Sequence, residues 1–497
     1  MERYDLAVLG AGFGGLSAAL TAAERGAKVV LLEQLRYPGG CASTFTRRGA
    51  RFESGATLFS GFGPGQLFDR WIAQHRIPVA FDALDPLIEL RAPGFALAVP
   101  PSRDVFVDRL SALDGVPGDA AARFFEEQKT VADALWALFD DPSLLPPLSA
   151  RALVTHLRRV PRYLPLLRHL GRSLDPMRRR HGLQDCEPLR VYLDAVCQIT
   201  VQASSADVEA PFALAATDYC FRGTGHVHGG IGELAWGLTR AFERLGGHLR
   251  MSDRVKGLAR VSEGWQVDAR KGPLLADRVV ANLTPHALRR LLGVEQGTHA
   301  RLDRMARDVE SGWGAAMLYL VLEPNADLPP AAHHLELVAD AGAPFAEGNH
   351  IFLSISAADE DRSDEGGRTV TVSTHVPMGH TDPAAYFAGV QARMRETLRL
   401  RAPEVAAAIR HEMTASPRTF ERFTGRDFGY VGGIPRRRGL GQYRGLWPSP
   451  IAPSLWMVGD SVFPGQSTLA TALGGKRTVE SFLPKRAPKL LAAPATS

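Results

Sequence analysis

The sequence predicts an α/β fold whose main sheet is assembled from distant parts of the chain, with an α+β unit inserted between them. Three observations predict it. A glycine run, Gly10 to Gly15, stands between an apolar run and a helix pattern that ends near Glu24. A second apolar run ends in Glu33, and a third, far along the chain, leads into Gly459 and another helix pattern. Strand, glycine turn, helix and strand form the βαβ unit of a doubly wound sheet.

The glycine run has the spacing of a dinucleotide site. We expect Gly10 to make the tight turn, Gly12 to let a pyrophosphate approach the backbone, and Gly15 to let the helix pack closely. Gly14 is a further candidate cofactor-binding residue of this run. The free N–H groups and the dipole at the helix start favour phosphate charge. The carboxylate of Glu33 is placed to accept hydrogen bonds from ribose hydroxyls and would repel a 2′-phosphate.

The segment after Glu33 is rich in Gly and Ser, where a simple nicotinamide dehydrogenase would continue into another helix. Such a loop offers backbone N–H groups to an extended ligand. A plain surface loop with turn glycines has the same composition, so both interpretations stay open for this segment alone. Its candidate cofactor-binding residues are Gly40, Cys41, Ala42, Ser43, Gly55, Ala56 and Thr57.

The other half of the predicted site comes from the far end of the chain. After an apolar run at 453–458, Gly459 lets a ligand pass close and Asp460 can bind ribityl hydroxyls. Ser467 is a predicted N-cap for a helix at 468–482. The N-terminus of that helix, at Thr468 and Leu469, favours the negative charge that develops on a reduced flavin.

These segments resemble the phytoene desaturase and carotenoid isomerase family of FAD enzymes, and within it most closely the carotenoid 3′,4′-desaturases and carotenoid isomerases. The similar segments are 10–15, Glu33, 39–45, 52–57, 221–230 and 458–465. These segments occur in the same order as in the family and span the whole chain, although residues 76–215 carry little that resembles the family. The family often has Asp where Glu53 stands, and many relatives have Arg where Cys41 stands. Leu35 stands where related amine oxidases carry Arg, which argues against that branch.

The resemblance implies a Rossmann-type FAD-binding domain, like those of glutathione reductase and the amine oxidases, with an α+β substrate domain inserted. Val255 falls where the family places a backbone contact to the adenine. We predict a FAD-binding domain built from 1–75, 216–295 and 431–483, and a substrate domain from 76–215 and 296–430, with 484–497 as a flexible tail.

Further patterns predict the remaining sheets. In the first domain, 265–269 and 278–282 have the pattern of a hairpin, behind an amphipathic helix pattern at 234–245. In the second domain, the strand patterns are 315–323, 351–356 and 369–375, and their alternation suits a sheet with one face on a pocket. The polar, acidic stretch 359–367 is predicted to be a loop.

Composition limits the classes of function. The chain has 497 residues, a net charge of +5 and four cysteines without a paired spacing, so we expect a reducing cytoplasm and no metal site. The start runs directly into the first strand, so no signal peptide is expected, and no apolar stretch reaches the length of a membrane span. No nucleic-acid reader motif accompanies the basic charge. Neither the oligomeric state nor the electron acceptor leaves a motif.

A basic, amphipathic segment at 151–180 contains nine Arg and one acidic residue. We predict one or two short helices there, broken at Pro161 and Pro165. Such a segment can lie on a membrane, with Arg among anionic headgroups, which would place the protein at the inner face of a membrane. An ordinary surface helix with a solvated basic face would show the same pattern, and both alternatives stay open.

The resemblance implies an FAD-dependent oxidoreductase acting on a lipophilic carotenoid polyene, with desaturation of the 3′,4′ or phytoene type favoured. A carotenoid cis–trans isomerase or a retinol-saturase-like reductase is the alternative. A third hypothesis is a carrier like the GDP dissociation inhibitors, which has no redox chemistry. The intact glycines, Glu33 and Asp460 argue against this hypothesis. No catalytic acid or base is assigned. Glu53, His226 and His228 are candidates for this role, but an ion pair with Arg47, Arg48 or Arg51 is favoured for Glu53, and loop hydrogen bonds are favoured for the two histidines.

Overall fold

The computed structural model describes residues 1–55, 57–146, 148–380 and 383–484. The strands are β1 (Arg3–Leu9), β2 (Val29–Leu32), β3 (Thr44–Arg47), β4 (Ala50–Glu53), β5 (Phe81–Asp82), β6 (Ile88–Ala92), β7 (Phe95–Val99), β8 (His226–Val227), β9 (His248–Arg250), β10 (Val255–Val261), β11 (Gly264–Ala269), β12 (Leu274–Ala281), β13 (Gly314–Leu322), β14 (His333–Val338), β15 (His350–Ile355), β16 (Thr369–Val376), β17 (Ile409–Ala415) and β18 (Leu455–Met457).

The helices are α1 (Phe13–Glu24), α2 (Leu67–His75), α3 (Arg103–Ser111), α4 (Gly118–Asp140), α5 (Ala150–Leu167), α6 (Asp175–Arg180), α7 (Glu187–Val201), α8 (Ala210–Thr217), α9 (Ile231–Arg244), α10 (Pro285–Leu291), α11 (Ala300–Glu310), α12 (Pro383–Arg401), α13 (Pro403–Ala407), α14 (Pro417–Thr424) and α15 (Thr468–Phe482). None of the helices within the described ranges is both long enough and apolar enough to cross a bilayer.

The first sheet unites both ends of the chain. Its order is β10-β11-β12-β1-β2-β9, and β18 also pairs with β12. β1 runs parallel to β2 and β12, and β12 runs parallel to β18, so the carboxyl ends of these strands meet at one edge. In open α/β sheets this edge is where ligands bind. The predicted hairpin is confirmed, because β11 pairs antiparallel with β12.

Helix α1 is rich in Gly and Ala because α15 packs directly on it. A Cβ on Gly475 of α15 would lie 2.1 Å from the carbonyl oxygen of Gly14 in α1. The contact therefore requires glycine at this point. It ties the helix that follows β18 to the helix that follows β1, and so joins residues more than four hundred positions apart.

The second sheet has the order β17-β13-β16-β15-β14-β6-β7 and contains all three strands predicted for it. β13 is buried along its whole length. One of its faces packs on α12, through Ala316, Leu318 and Leu320. Its other face carries Ala315 and Met317 toward a cavity. β6 and β7 come from the 76–215 stretch, where the sequence offered few motifs.

Two local predictions are wrong. The segment between Glu33 and Thr57 is not only a loop, because β3 and β4 form a hairpin in it. α5 is not broken at Pro161 or Pro165 but runs through both. A proline removes the hydrogen bond to the carbonyl four residues earlier. Those carbonyls belong to Leu157 and Pro161, which are both exposed, so water can satisfy them without ending the helix.

Candidate functional site

A cavity of about 1120 Å³ opens at the carboxyl edge of the first sheet and continues along one face of the second sheet. Leu9, Leu32 and Val458 of the first sheet line the cavity, and each lies at or just after the end of a parallel strand. From the second sheet it takes residues of β13, β15 and β16. One cavity therefore joins the predicted cofactor site to the predicted substrate sheet.

The glycine run forms the turn that the sequence predicts. The need for glycine at two of its positions comes from the side chain of Asn282, a residue that the sequence analysis did not name. Gly10 has a φ of +95°, which favours glycine. Added Cβ atoms on Gly12 and Gly14 would lie 2.7 Å and 2.8 Å from the side chain of Asn282. Asn282 follows β12 at the same sheet edge, and its place at the end of the predicted strand 278–282 is the signal that could have found it.

The N-terminus of α1 is open to the cavity. Gly12 is the N-cap and provides no side-chain hydrogen bond, so the first-turn N–H groups lack the partner that a Ser or Asp would supply. Gly15 does not line the cavity; an added Cβ there would lie 1.9 Å from the carbonyl oxygen of Gly10. This confirms that Gly15 is required for close packing.

Glu33 lines the cavity and is held by backbone groups. Its Oε2 accepts a hydrogen bond from the N–H of Ala11 at 2.7 Å, and its Oε1 accepts one from the N–H of Leu35 at 2.8 Å. Burial raises the pKa of this carboxyl, and the backbone N–H groups oppose that rise in part. The carboxylate oxygens keep lone pairs with which to accept hydrogen bonds from a ligand hydroxyl.

The loop at 39–43 lies directly on the glycine run. Gly39 donates its N–H to the carbonyl of Ala11 at 2.8 Å and bridges Gly12. Ser43 does not line the cavity, because its hydroxyl donates to the carbonyl of Gly40 at 2.8 Å inside the loop. Ala56 lies outside the described residues.

The far-end residues line the same cavity as this loop. Ser467 caps α15 by accepting a hydrogen bond from the N–H of Ala470 at 3.0 Å, which confirms the predicted cap. The predicted cofactor-binding residues that line the cavity are Gly10, Gly12, Gly14, Glu33, Gly40, Cys41, Ala42, Gly55, Thr57, Val255, Gly459, Asp460, Ser467, Thr468 and Leu469.

A half-buried arginine, Arg426, also lines this part of the cavity, and the sequence analysis missed it. The Nη2 atom of Arg426 lies 2.9 Å from Oδ2 of Asp460, yet makes no well-directed hydrogen bond in the described structure. Burial lowers the pKa of Arg426, but Asp460 and Cys41 outweigh that effect and raise it. An open helix N-terminus, backbone N–H groups and a half-buried cation together suit the diphosphate of a dinucleotide.

The remainder of the cavity is largely apolar. Its walls come from α4, α5, α7, α8 and the 440–446 segment, and include Leu135, Phe139, Leu166, Leu170, Ile199, Phe212, Leu440 and Leu446. The acidic residues in the described lining are Glu33, Asp253 and Asp460, all at the first-sheet end. The apolar part is therefore suited to an uncharged, hydrophobic ligand.

The three considered acid–base residues lie outside the described lining. Glu53 pairs with Arg362 at 3.0 Å rather than with Arg47, Arg48 or Arg51, so the predicted partner is wrong. The side chain of Glu53 is buried, and Arg51 pairs instead with Glu233 at 2.8 Å. His226 lies 2.8 Å from Glu360, and His228 lies 3.6 Å from Asp82.

Comparisons with known proteins agree with this architecture. Residues 8–74 match the family model of the NAD(P)-binding Rossmann-like domain. Chloroplastic prolycopene isomerase 1 from an Oncidium hybrid cultivar is 26% identical, over 99% of this chain and 86% of that protein. Hydroxyneurosporene desaturase from Cereibacter sphaeroides is 26% identical, over 96% of this chain and 97% of its own length.

Among solved structures, wild-type putrescine oxidase with bound putrescine has a TM-score of 0.63 at 15% identity, covering 96% of this chain and 98% of that chain. At this identity the likeness concerns the fold. It confirms the predicted α/β fold of the amine oxidase type, with a Rossmann-type domain and a second sheet.

Proposed function

This chain belongs to the family of carotenoid desaturases and isomerases, and we propose that it is an FAD-dependent desaturase that acts on a carotenoid polyene. The observation that carries the proposal is the single cavity that runs from the glycine run to an apolar chamber under the second sheet. A cofactor held at one end and a hydrophobic chain held at the other would meet inside it. The hydroxyneurosporene desaturase named above supports this choice, since its similarity extends over nearly its whole length.

The residues present fit FAD. The first-turn N–H groups of α1 and the guanidinium of Arg426 would hold the diphosphate, and Glu33 would bind ribose hydroxyls. The N-terminus of α15 at Ser467 would face the pyrimidine edge of the ring system, where its dipole stabilises negative charge. When bound, FAD supplies an acceptor for a hydride from a substrate carbon.

The apolar chamber would contribute by position and by exclusion of water. Its walls align an extended hydrocarbon and keep bulk water from the reacting carbon atoms. The described part of this chamber is lined by no carboxylate. After the hydride leaves, the positive charge on the substrate carbon is delocalised over the conjugated chain, and loss of a proton from the neighbouring carbon then completes the double bond. The chamber therefore needs little acid–base assistance from the protein.

The route into the chamber supports a membrane-bound substrate. Leu166 of α5 and Leu170 just after it line the cavity, and so does Leu440, which is 65% exposed. The outer face of α5 is apolar and exposed, through Leu153, Val154, Leu157, Val160, Leu164 and Leu167. Arg158 and Arg162 lie next to this stripe, at positions suited to anionic headgroups. We propose that α5 docks on the inner face of a membrane and delivers the polyene to the chamber.

Isomerisation is the second candidate, since prolycopene isomerase 1 is similar over almost all of this chain. Pigment analysis in a host that accumulates lycopene or neurosporene separates the two. Desaturation predicts a red-shifted product with additional double bonds and a lower mass. A product of unchanged mass and altered double-bond geometry would overturn desaturation in favour of isomerisation. Purified protein without a flavin spectrum would overturn both.

A further inference from the structure

One wall of the apolar chamber is formed by a surface loop, residues 439–447, which we call the entrance loop. Leu440, Tyr443 and Leu446 of this loop line the cavity. Leu440 and Trp447 are also 65% and 59% exposed. In the described structure the backbone of the loop pairs with no strand of either sheet. The loop therefore stands between the chamber and the outside without belonging to a sheet.

A buried carboxylate holds the entrance loop in place. The side chain of Glu209, which precedes α8, is fully buried. Its Oε2 accepts a hydrogen bond from the N–H of Gly439 at 3.0 Å, and its Oε1 accepts one from the hydroxyl of Tyr443 at 2.9 Å. Oε1 also accepts one from the N–H of Gly171, in the turn after α5, at 2.8 Å. Glu209 therefore fastens the loop to the turn that follows α5.

The contact of Glu209 with the loop is made by groups that suit a latch. A buried carboxylate is tolerated only while donors satisfy it, and two of the three donors to Glu209 belong to the loop. Burial and the nearby Glu209 raise the pKa of Tyr443, so its hydroxyl keeps the proton that it donates. The ring of Tyr443 also stacks on Phe212, with the ring centres 5.5 Å apart.

The far end of the entrance loop is fixed separately. Arg477 of α15 is 3% exposed, and its Nη2 donates to the carbonyl oxygens of Leu446 and Pro146, both at 2.7 Å. Burial lowers the pKa of Arg477 to about 10, so the guanidinium stays charged near pH 7. Within the described structure, both hydrogen bonds that join 439–445 to the rest of the chain end on Glu209. Release from this one carboxylate therefore frees the loop up to its anchor at Arg477.

The size of the cavity gives the loop a reason to move. A site for one drug-sized ligand measures about 300–1,000 Å³. This cavity measures about 1120 Å³ and would hold both a dinucleotide and a long hydrocarbon. The closed cavity is small for the two together, and the entrance loop is the part of its wall that can move with the loss of two hydrogen bonds.

We propose that the entrance loop is a lid over the apolar chamber and that Glu209 is its latch. Release of Gly439 and Tyr443 from the carboxylate opens a path between the loop and the turn after α5, through which a lipophilic ligand enters and leaves. Glu209 does not line the cavity, so it acts by positioning the loop. The inference rests on the proposed function for the nature of the ligand.

The test measures how fast a lipophilic probe enters and leaves the holoenzyme. Diphenylhexatriene, an uncharged polyene whose fluorescence depends on its surroundings, is mixed rapidly with the protein, and its release is followed after addition of excess lipid vesicles. Tyr443→Phe removes one latch hydrogen bond and keeps the ring on Phe212. Because opening breaks this bond whether or not the chamber is filled, both rate constants should rise about fivefold while Kd stays unchanged.

Tyr386→Phe is the matched control. It removes a hydroxyl that donates to the carboxylate of Glu347 from α12, which packs on the other face of the second sheet, and both rate constants should stay at the wild-type values. Unchanged rates in Y443F, or a faster release alone with a weaker Kd, would make Tyr443 an ordinary wall residue and overturn the lid. Absence of probe binding by the wild type would overturn it as well.

Hydrogen exchange tests the latch without any ligand. The amide hydrogens of 439–445 should exchange about fivefold faster in Y443F than in the wild type, while those of β18 stay unchanged. Equal exchange of 439–445 in the two proteins would overturn the latch. A protein that converts no carotenoid but shows these changes in probe kinetics and exchange would refute the proposed function and support the lid.

Discussion

Two buried polar clusters at the second sheet differ in how their groups are satisfied. In the charge cluster, defined as Glu53, His226, Glu360 and Arg362, the guanidinium of Arg362 lies 3.0 Å from Glu53 and 2.9 Å from Glu360, and His226 also pairs with Glu360. His350 and His375, which line the cavity, form the second cluster: burial lowers the pKa of both rings to about 3 and about 4, and Nε2 of His350 has no partner among the described residues.

The contrast between the two clusters shows that burial of titratable groups does not by itself indicate a reaction site. The charge cluster holds β4, the 226–229 segment and the 359–363 loop together, and Glu360 also accepts hydrogen bonds from the N–H groups of Gly229 and Ala357. Its charges are complementary, so it stabilises structure. In the histidine cluster, Nε2 of His350 lacks a partner beside the cavity, so its hydrogen bond is available to a ligand.

The largest expected effect comes from breaking the charge cluster. Arg362→Met leaves Glu53 and Glu360 buried without their shared cation, and we expect a loss of about 3–5 kcal/mol in the free energy of unfolding. Denaturant titration of the purified holoenzyme measures it. Arg399→Met removes an arginine that is exposed and should change stability by no more than about 0.5 kcal/mol. A loss below about 1 kcal/mol in R362M would contradict a structural role for the cluster.

Glu336 sharpens the comparison, because it is unpartnered but lies on β14, away from the cavity. Burial raises its pKa to about 8, so the folded protein holds this proton more tightly than the unfolded chain. Its contribution to stability is complete below the unfolded pKa of about 4.5 and is lost as pH rises through about 8. Glu336→Gln should therefore become increasingly more stable than the wild type between pH 5 and pH 9, by about 2–4 kcal/mol at the upper end.

Thermal unfolding midpoints over that pH range measure the difference between E336Q and the wild type. Glu396→Gln, at an exposed position, should show no such trend. A constant gap between E336Q and the wild type at all pH values would show that Glu336 is ionised in the folded protein.

Arg426 is an intermediate case, since it has one carboxylate partner and a guanidinium that reaches the cavity. Arg426→Met should weaken FAD binding about tenfold, because one charge-assisted contact to the diphosphate is lost. The flavin-to-protein ratio after dialysis, and the affinity of the apoprotein for added FAD, report this change. Arg422→Met, on α14 and exposed, is the matched control. Unchanged FAD affinity in R426M would place the diphosphate elsewhere.

The smallest expected effect is on membrane binding, from a substitution in the exposed apolar face of α5. Leu157 on α5 is 72% exposed, and Leu157→Glu should lower binding to vesicles of anionic lipid about fivefold without lowering stability. Leu400→Glu makes the same change on an exposed residue of α12. Vesicle sedimentation measures both variants. Equal retention of binding by the two would exclude α5 as the docking surface.

Local patterns accounted for the elements that bind the proposed cofactor. β1, α1, β2, β18 and α15 form near the predicted bounds, because glycine turns, apolar runs and the cap at Ser467 act within a few residues. The residues that local patterns missed are ones whose partners lie far away in the sequence. Arg362 belongs to a stretch predicted to be a polar loop, and Arg426 follows α14 without a motif of its own.

The sequence by itself determined that the two ends of the chain build a dinucleotide-type site. Each part of that site, the glycine turn and the start of the helix after it, is set by residues close together in the sequence, and the glycine spacing is recognisable. Only the tertiary structure decided the partners of buried charge and brought His350 and His375 together beside the cavity. His350 and His375 are separated by a strand connection and read as ordinary strand residues. They become a pair because antiparallel register places them on one face, and they become neutral because packing removes water and supplies no counter-charge.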